Sequence, residues 1–472
     1  MSRFSSPNSR RAKIVATLGP GSSAPDTIRL LAETGVDIFR LNFSHGDHEG
    51  HKRNYDSVRL AQEKVGRPLG VLADMQGPKI RVGSFPDGYI RLSMDEEVKL
   101  VPGKTSDETD VIPVPHPEIL KVMEVGDQVL VDDGKIVLTV TRTGDTPFVK
   151  ADIPCKISDK KGFTLLGKAL PVPALTAKDK EDLEFACGMG ADFIALSFVQ
   201  TRKDLEEART LMNGRGRLVA KVEKPAAIDN LDDIVDGSDG IMVARGDLGV
   251  EYPPEMVPIL QRRIVRASRA AGKPVIVATH MLESMVESAS PTRAEASDVA
   301  TAIYQGTDAI MLSSETAVGR HPATAVAIMD RIVKTVEGDR EYAKSSGSFA
   351  PGKNNNPTDA DFIADAVQDL AEKNDCTAIF VSTAHFSVVS RFSRARLKTR
   401  LIAHTQDKTK FGHMSLFWGV EALPLAGDMS DVELIDAVRK QLGADVSGKI
   451  ACALQTQGIG ENLAWRVEVI DL

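Results

Sequence analysis

The sequence predicts an α/β protein: a closed (β/α)8 TIM barrel with an inserted small β-barrel lid domain and a C-terminal open α/β domain. Three observations predict it. Eight short apolar runs, each followed by a turn and a helix-length amphipathic segment, recur between Lys13 and Glu315, as a parallel sheet requires. Each run ends in a side chain able to do chemistry, and the C-terminal rim is where such barrels gather their sites. The alternation breaks once, between Pro78 and Pro171, where valines and isoleucines alternate with polar residues, the period of a half-buried strand. The limits that follow are 1–77 for the first part of the barrel, with the first eleven residues as a tail, and 78–171 for the lid. The second part of the barrel takes 172–341, a linker 342–358 and the last domain 359–472.

Taken in order, the barrel runs are "KIVATLG", "VDIFRLNFS", "LGVLADMQG", "ADFIALSFV", "RLVAKVEK", "GIMVARGD", "KPVIVATHM" and "DAIMLSSET". Their ends release Thr17, then Arg40 with Asn42 and Ser44, then Asp74, Ser197, Lys221 with Glu223, Arg245 with Asp247, Thr279 with His280, and Ser313 with Glu315. One such residue would read as a solvated strand end. Eight in phase read as a site built from several strands. The fifth and sixth runs form a β-α-β unit whose right-handed crossover brings Glu223 and Asp247 to the same rim. Two carboxylates beside the Lys221 ammonium suit Mg²⁺ or Mn²⁺ held together with a phosphate.

In the insert, "EVGDQVLVDDGKIVLTV" reads as a hairpin turning at Asp133-Gly134. Leaving the end of the third strand, the insert is placed to close over the rim as a lid, with Lys160 and Lys161 reaching down. The stretch "YAKSSGSFAPGKNNNPTD" has linker composition. Beyond it, "CTAIFVST", "TRLIAHT", "GVEALPL" and "KIACALQT" alternate with helical segments and end in "WRVEVI", an open sheet with an antiparallel last strand. This domain offers no nucleophile, metal cluster or glycine fingerprint, so regulation or assembly is its expected role. Its basic run Arg391, Arg394, Arg396, Lys398, Arg400 is expected to be a solvated face.

Composition excludes other classes. Acidic residues outnumber basic ones, 66 to 58, and the cations are scattered, so no nucleic-acid surface is expected. No apolar run is long enough to span a membrane and the polar start has no signal core, which predicts a cytoplasmic protein with no membrane partner. Cys155, Cys187, Cys376 and Cys452 lie far apart with no C-x-x-C pair and read as buried thiols in a reducing compartment.

The motifs "TLGPGS" from Thr17, "RLNFSHG" from Arg40, "GPKIRVG" from Gly77, "VAKVEKPAAIDN" from Val219, "GIMVARGDLGVEYP" from Gly240, "ATHMLESM" from Ala278 and "LSSETAVGRHP" from Leu312 resemble the successive signatures of the pyruvate kinase family. The resemblance covers the barrel in order and the last domain more loosely. It implies transfer of a phosphoryl group from phosphoenolpyruvate to ADP, giving pyruvate and ATP, in a homotetramer. It further implies that Glu223 and Asp247 hold the divalent ion, Lys221 neutralises the moving phosphoryl group, and Arg40 clamps it. The backbone at Ala244, Arg245 and Gly246 would meet the substrate carboxylate together with Asp247, Ser197 and Thr279, and Thr279 would order the water that protonates the enolate. Asn42, His45, Arg81 and Lys161 would receive the nucleotide. The Arg245 side chain is expected to pair with a carboxylate, and Glu315 to orient cations on the rim.

Departures from the family pattern carry further expectations. Members that need K⁺ hold it at the equivalents of Asn42, Ser44, Asp74 and Met75 and have Glu where this chain has Lys79; the ammonium of Lys79 can stand in for that cation, so independence of K⁺ is expected. His280 replaces a common Gln and Ser314 a common Gly, which keeps polarity at the rim. In "AHFSVV" from Ala384, Phe386 replaces the glycine of the sugar-phosphate loop, so control by fructose 1,6-bisphosphate is not predicted. Two other readings are a metal-dependent barrel lyase acting on a pyruvate enolate and a catalytically silent paralogue with a binding role. The intact set Lys221, Glu223, Asp247 and Thr279 speaks against the latter, and the lid with Arg81 and Lys161 against the former.

Overall fold

The computed structural model describes residues 10–132, 134–168, 171–342, 357–405, 407–423, 430–443, 448–457 and 463–472. Asp133 at the expected hairpin turn, most of the expected tail and all but the ends of the expected linker lie outside the described residues.

Eight parallel strands close the barrel: β1 (Lys13–Leu18), β2 (Ile38–Asn42), β3 (Gly70–Asp74), then β12 (Phe193–Leu196), β13 (Arg217–Val222), β14 (Gly240–Ala244), β15 (Val275–Ala278) and β16 (Ala309–Leu312). Neighbours follow chain order, β3 pairing directly with β12 across the insertion and β16 closing onto β1. The strands read as continuous apolar runs because both faces are covered. Val15, Ile38, Leu72, Phe193, Val219, Met242 and Ile276 point inward and fill the interior, and a larger cluster joins the outward side chains to the surrounding helices.

The insertion holds β4 (Tyr89–Leu92), β5 (Glu97–Pro102), β6 (Val111–Val114), β7 (Gln128–Val131), β8 (Ile136–Arg142), β9 (Phe148–Ala151), β10 (Cys155–Ser158) and β11 (Phe163–Leu165). They form a six-stranded sheet of order β11-β7-β8-β9-β5-β6 and a separate β10-β4 pair. One core, with Ile90, Ile157, Leu100 and Leu138, serves both. The expected small barrel is therefore two sheets wrapped on a shared core, and β7 and β8 pair antiparallel as the hairpin pattern required.

The last domain contains β17 (Ala378–Ser382), β18 (Arg400–His404), β19 (Val420–Ala422), β20 (Lys449–Gln457) and β21 (Leu463–Asp471) in the order β19-β18-β17-β20-β21, with only β21 antiparallel. Its 3-10 turn Gly412–Leu416 seals the N-terminal mouth of the barrel, and Leu416, fully buried, joins the barrel's interior cluster. Two glycines permit this approach: a Cβ on Gly70 would sit 2.3 Å from Ser415 Oγ, and one on Gly412 would overlap the Asp192 carboxylate.

Three expectations are corrected here. Arg10 and Arg11 do not belong to a tail. Buried Arg10 bonds Asp37 at 2.8 Å and Asp330 at 3.0 Å, and Arg11 reaches the carbonyls of Leu397 and Lys398 in the last domain. The basic run is not a solvated face either, because Arg394 and Arg396 point into the contact between the last domain and the barrel. Spacing alone could not distinguish a face turned to water from one turned to another domain. Finally, all four cysteines are free, but Cys155 and Cys376 are only half-buried. No described helix is long and apolar enough to cross a membrane.

Candidate active site

Side chains at the strand ends join into an arc that follows the strand order. Thr17 Oγ1 donates to Leu312 O at 2.9 Å, linking β1 to β16, and receives Arg40 Nη1 from β2 at 3.1 Å. Arg40 Nε donates to Asp74 Oδ2 at 2.7 Å, and Lys221 Nζ lies 3.1 Å from Asp74 Oδ1. Lys221 also donates to Ser197 Oγ at 2.7 Å, and Ser197 Oγ donates to Met75 O at 2.7 Å. Six neighbouring strands are thus tied through one buried carboxylate. Asp74 is 1% exposed. Burial would raise its pKa, but Lys221 and Arg40 outweigh that and hold it below the usual range.

Lys221 is held in the charged form: burial opposes its charge, and Asp74, Glu223 and Asp247 together raise its pKa above the ordinary lysine value. Glu223 lies just past β13, and its Oε2 is 3.6 Å from Lys221 Nζ. Its Oε1 accepts the Phe198 N–H at 2.7 Å, while Oε2 is buried with no hydrogen bond among the described residues. Burial first, and Asp247 after it, push this carboxyl up to about 7 against the pull of Lys221. An orphaned buried carboxylate oxygen whose charge is held back in this way is what a cation would relieve.

Asp247 is exposed in the first turn of the short helix Arg245–Glu251, which starts where β14 stops. Among the described residues no three or more His, Cys, Asp or Glu side chains converge to hold a metal. Glu223 and Asp247 would supply two oxygens, leaving the remaining positions to water and substrate, the way Mg²⁺ is usually bound.

Thr279 Oγ1 accepts the Gly246 N–H at 2.7 Å and donates to Ala278 O at 2.6 Å. Thr279 and His280 both have positive φ, 67° and 52°, and Phe198 has φ 58°. These conformations are costly for a β-branched or bulky residue and concentrate at functional sites. They turn the chain sharply at the ends of β15 and β12, so that the Thr279 hydroxyl and the Phe198 amide face the rim.

Arg245 makes the carboxylate pairing expected of it, two bonds to Asp298 at 2.7 and 2.8 Å. Glu315 does not orient cations. Fully buried, it accepts the amides of Leu282 at 3.0 Å and Ser313 at 2.7 Å, so it fixes the loops after β15 and β16.

Asn42 and Asp74 are register partners on β2 and β3. Asn42 Oδ1 accepts the Ser44 amide at 3.2 Å; Ser44, His45 and Lys79 are exposed and Met75 is buried. On the lid, Arg81 and Lys161 are brought side by side: Arg81 bridges to Gly162 and bonds Lys160 O at 2.9 Å, and Lys161 pairs with Asp132 at 2.8 Å. The sequence reading missed Lys224 and Glu251, a buried pair that ties the residue after Glu223 to the end of the helix bearing Asp247. It also missed Phe198, whose ring lies 4.7 Å from Lys224 Nζ. The signal available was a second charge directly after Glu223 and a carboxylate four residues after Asp247.

Comparison with known proteins agrees with this geometry. Residues 9–326 match the family model described as pyruvate kinase, barrel domain. A pyruvate kinase of Agrobacterium vitis is 46% identical over 88% of both chains, and one of Mycobacterium tuberculosis is 42% identical over 92% of this chain and 91% of the other. The crystal structure of a pyruvate kinase from Cryptosporidium parvum superposes with a TM-score of 0.91 at 30% identity, covering 98% of this chain and 96% of that one. With the closed barrel, the lid sheets and the rim arc in the same order along the sequence, the chain belongs to the pyruvate kinase family.

Proposed function

We propose that the rim transfers a phosphoryl group from phosphoenolpyruvate to ADP through the residues of the arc. The observation that carries this is the half-buried pair Arg40 and Lys221 beside a buried Glu223 whose second oxygen has no hydrogen bond among the described residues. The family's reaction is phosphoryl transfer giving pyruvate and ATP, and it is metal-dependent. Such transfer asks for positioning and charge neutralisation more than for covalent chemistry.

In this reading Arg40 and Lys221 meet the phosphoryl oxygens, with Asp74 holding both cations in place. The amide of Gly246 and the hydroxyls of Thr279 and Ser197 orient the carboxylate end, alongside Ala244, Arg245 and Asp247. A side chain at Gly246 would crowd Thr279, its Cβ lying 3.3 Å from Oγ1. Glu223 and Asp247 would hold Mg²⁺ or Mn²⁺, which supplies Lewis-acid stabilisation of the charge left on oxygen. Thr279 orders the water that delivers a proton to the enolate. Arg81 and Lys161 from the lid, with Asn42 and His45, receive the nucleotide phosphates.

Lys79 replaces the monovalent cation otherwise held at Asn42, Ser44, Asp74 and Met75. Its support is chemical: an ammonium carried five residues past the end of β3. The assembly is a homotetramer acting in the cytoplasm. The experiment is pyruvate formation from phosphoenolpyruvate and ADP with Mg²⁺, without K⁺ and with KCl, on the wild type and on Lys79→Glu. Equal wild-type rates and a K⁺ requirement acquired by Lys79→Glu are expected. A wild type that works only with KCl would sink the Lys79 role while leaving the transfer reaction standing.

A further inference from the structure

We infer that the cleft between the barrel's N-terminal face and the last domain binds a phosphate group, held by Arg269 and Arg396 from opposite sides of the domain boundary. The cleft is open to solvent, and its space together with the solvent at its mouth comes to about 230 Å³. From the barrel it takes Arg269, at the end of the helix Val257–Ala270, and Asp308; from the last domain it takes Ser390, Arg394 and Arg396.

The charges here do not balance. Four guanidinium groups, Arg269, Arg391, Arg394 and Arg396, lie among three carboxylates, Asp308, Asp361 and Asp365. Arg396 Nη2 pairs with Asp308 Oδ1 at 2.9 Å and donates to Gly306 O at 2.7 Å. Arg394 and Arg391 share Asp361, at 3.3 and 3.6 Å. Asp308 Oδ2 is occupied by the amide of Val275 at 2.9 Å.

Arg269 is left over. It is 6% exposed, and its guanidinium has neither a hydrogen bond nor a carboxylate within ion-pair distance among the described residues. Burial, and Arg396 next, lower its pKa to about 9, well below the ordinary guanidinium value. Nη1 of Arg396, a residue 8% exposed, and Nη1 of Arg391 are also buried without a hydrogen-bond partner.

An unpaired buried cation and unmade donor bonds are costly to a fold that gains nothing from them. A tetrahedral oxyanion offers several acceptors at once and is the class that arginine forks recognise. Its donors would come from both domains, so occupancy would tighten their contact. Nothing in the sequence signalled this. The cluster is assembled from the end of a barrel helix and the face of a domain more than a hundred residues later.

The test is equilibrium dialysis of the full chain against radiolabelled inorganic phosphate at constant ionic strength. The dialysis is repeated on Arg40→Gln, which lacks the phosphate clamp of the catalytic rim, so that binding kept in that variant belongs to the cleft. One saturable phosphate per chain is expected in the wild type. Affinity should weaken by about tenfold or more in Arg269→Gln, with turnover in phosphate-free buffer unchanged.

Because Arg269→Gln removes a buried charge, Arg269→Lys serves as a second variant. It keeps the charge, loses the fork and should bind between the two. Competition with glycerol 3-phosphate tells a free ion from a phosphomonoester: displacement assigns the site to the phosphoryl group of an ester, and failure to displace restricts it to the ion. No saturable binding in the wild type, or equal binding in wild type and both variants, would overturn the inference.

Discussion

Glu223 is the residue at which burial and chemistry meet. Its carboxyl is raised to about 7, so a proton and a divalent ion compete for it near neutral pH. Mn²⁺ affinity, followed by electron paramagnetic resonance, should rise by about tenfold per pH unit below this value and level off above it. Glu223→Gln should flatten that profile and weaken binding by about 100-fold or more; a profile unchanged by the substitution would remove Glu223 from the metal site. At this scale the sequence was a good guide to residue type and position, because strand ends on one rim must converge once the barrel closes. It could not show partners. That Asp74 is shared by Arg40 and Lys221, or that Glu315 serves amides and not cations, depends on side-chain directions that spacing does not encode.

The lid is the element whose contribution can be separated most cleanly. Arg81 and Lys161 sit on facing segments of it, and Lys161 already has a carboxylate partner in Asp132. The joint substitution Arg81→Ala with Lys161→Ala should therefore raise KM for ADP by about tenfold or more while leaving KM for phosphoenolpyruvate close to its starting value. Equal effects on both substrates would show that the lid does not favour the nucleotide. Strand existence here was legible from alternation of period two. The partition into two sheets was not, since it depends on which edges pair, and a pattern of inward and outward residues leaves pairing open.

For the whole molecule, the last domain acts as a stopper as well as a neighbour. Leu416 fills the barrel's N-terminal mouth, and Arg396 neutralises Asp308 beneath β16. Ending the chain after residue 342 would open that mouth to water and leave Asp308, whose side chain is 7% exposed, without its cation. Loss of a partner from a buried pair costs about 3–5 kcal/mol. The truncated protein should melt well below the full chain in calorimetry or fail to remain in solution, whereas an unchanged melting temperature would show that the barrel stands alone. The sequence pointed to a third domain from its linker and its strand rhythm, but gave no sign that its basic run and its 3-10 turn were the docking surface.

The direct pairing of β3 with β12 has a consequence for the order in which the chain acquires its shape. Those two strands are neighbours in the ring but are separated in sequence by the whole insertion. Bringing them together across an unstructured segment of that length carries a larger entropic cost than any other closure between consecutive barrel strands. The inserted sheets have their own apolar centre and include the local antiparallel pairs β7-β8 and β8-β9, the kind that assemble early. Once they form, their two ends lie close together and the long gap becomes a short one. Pulse-labelled hydrogen exchange during refolding should find the amides of β7 and β8 protected before those of β3 and β12. The reverse order would mean that the ring closes without help from the insertion.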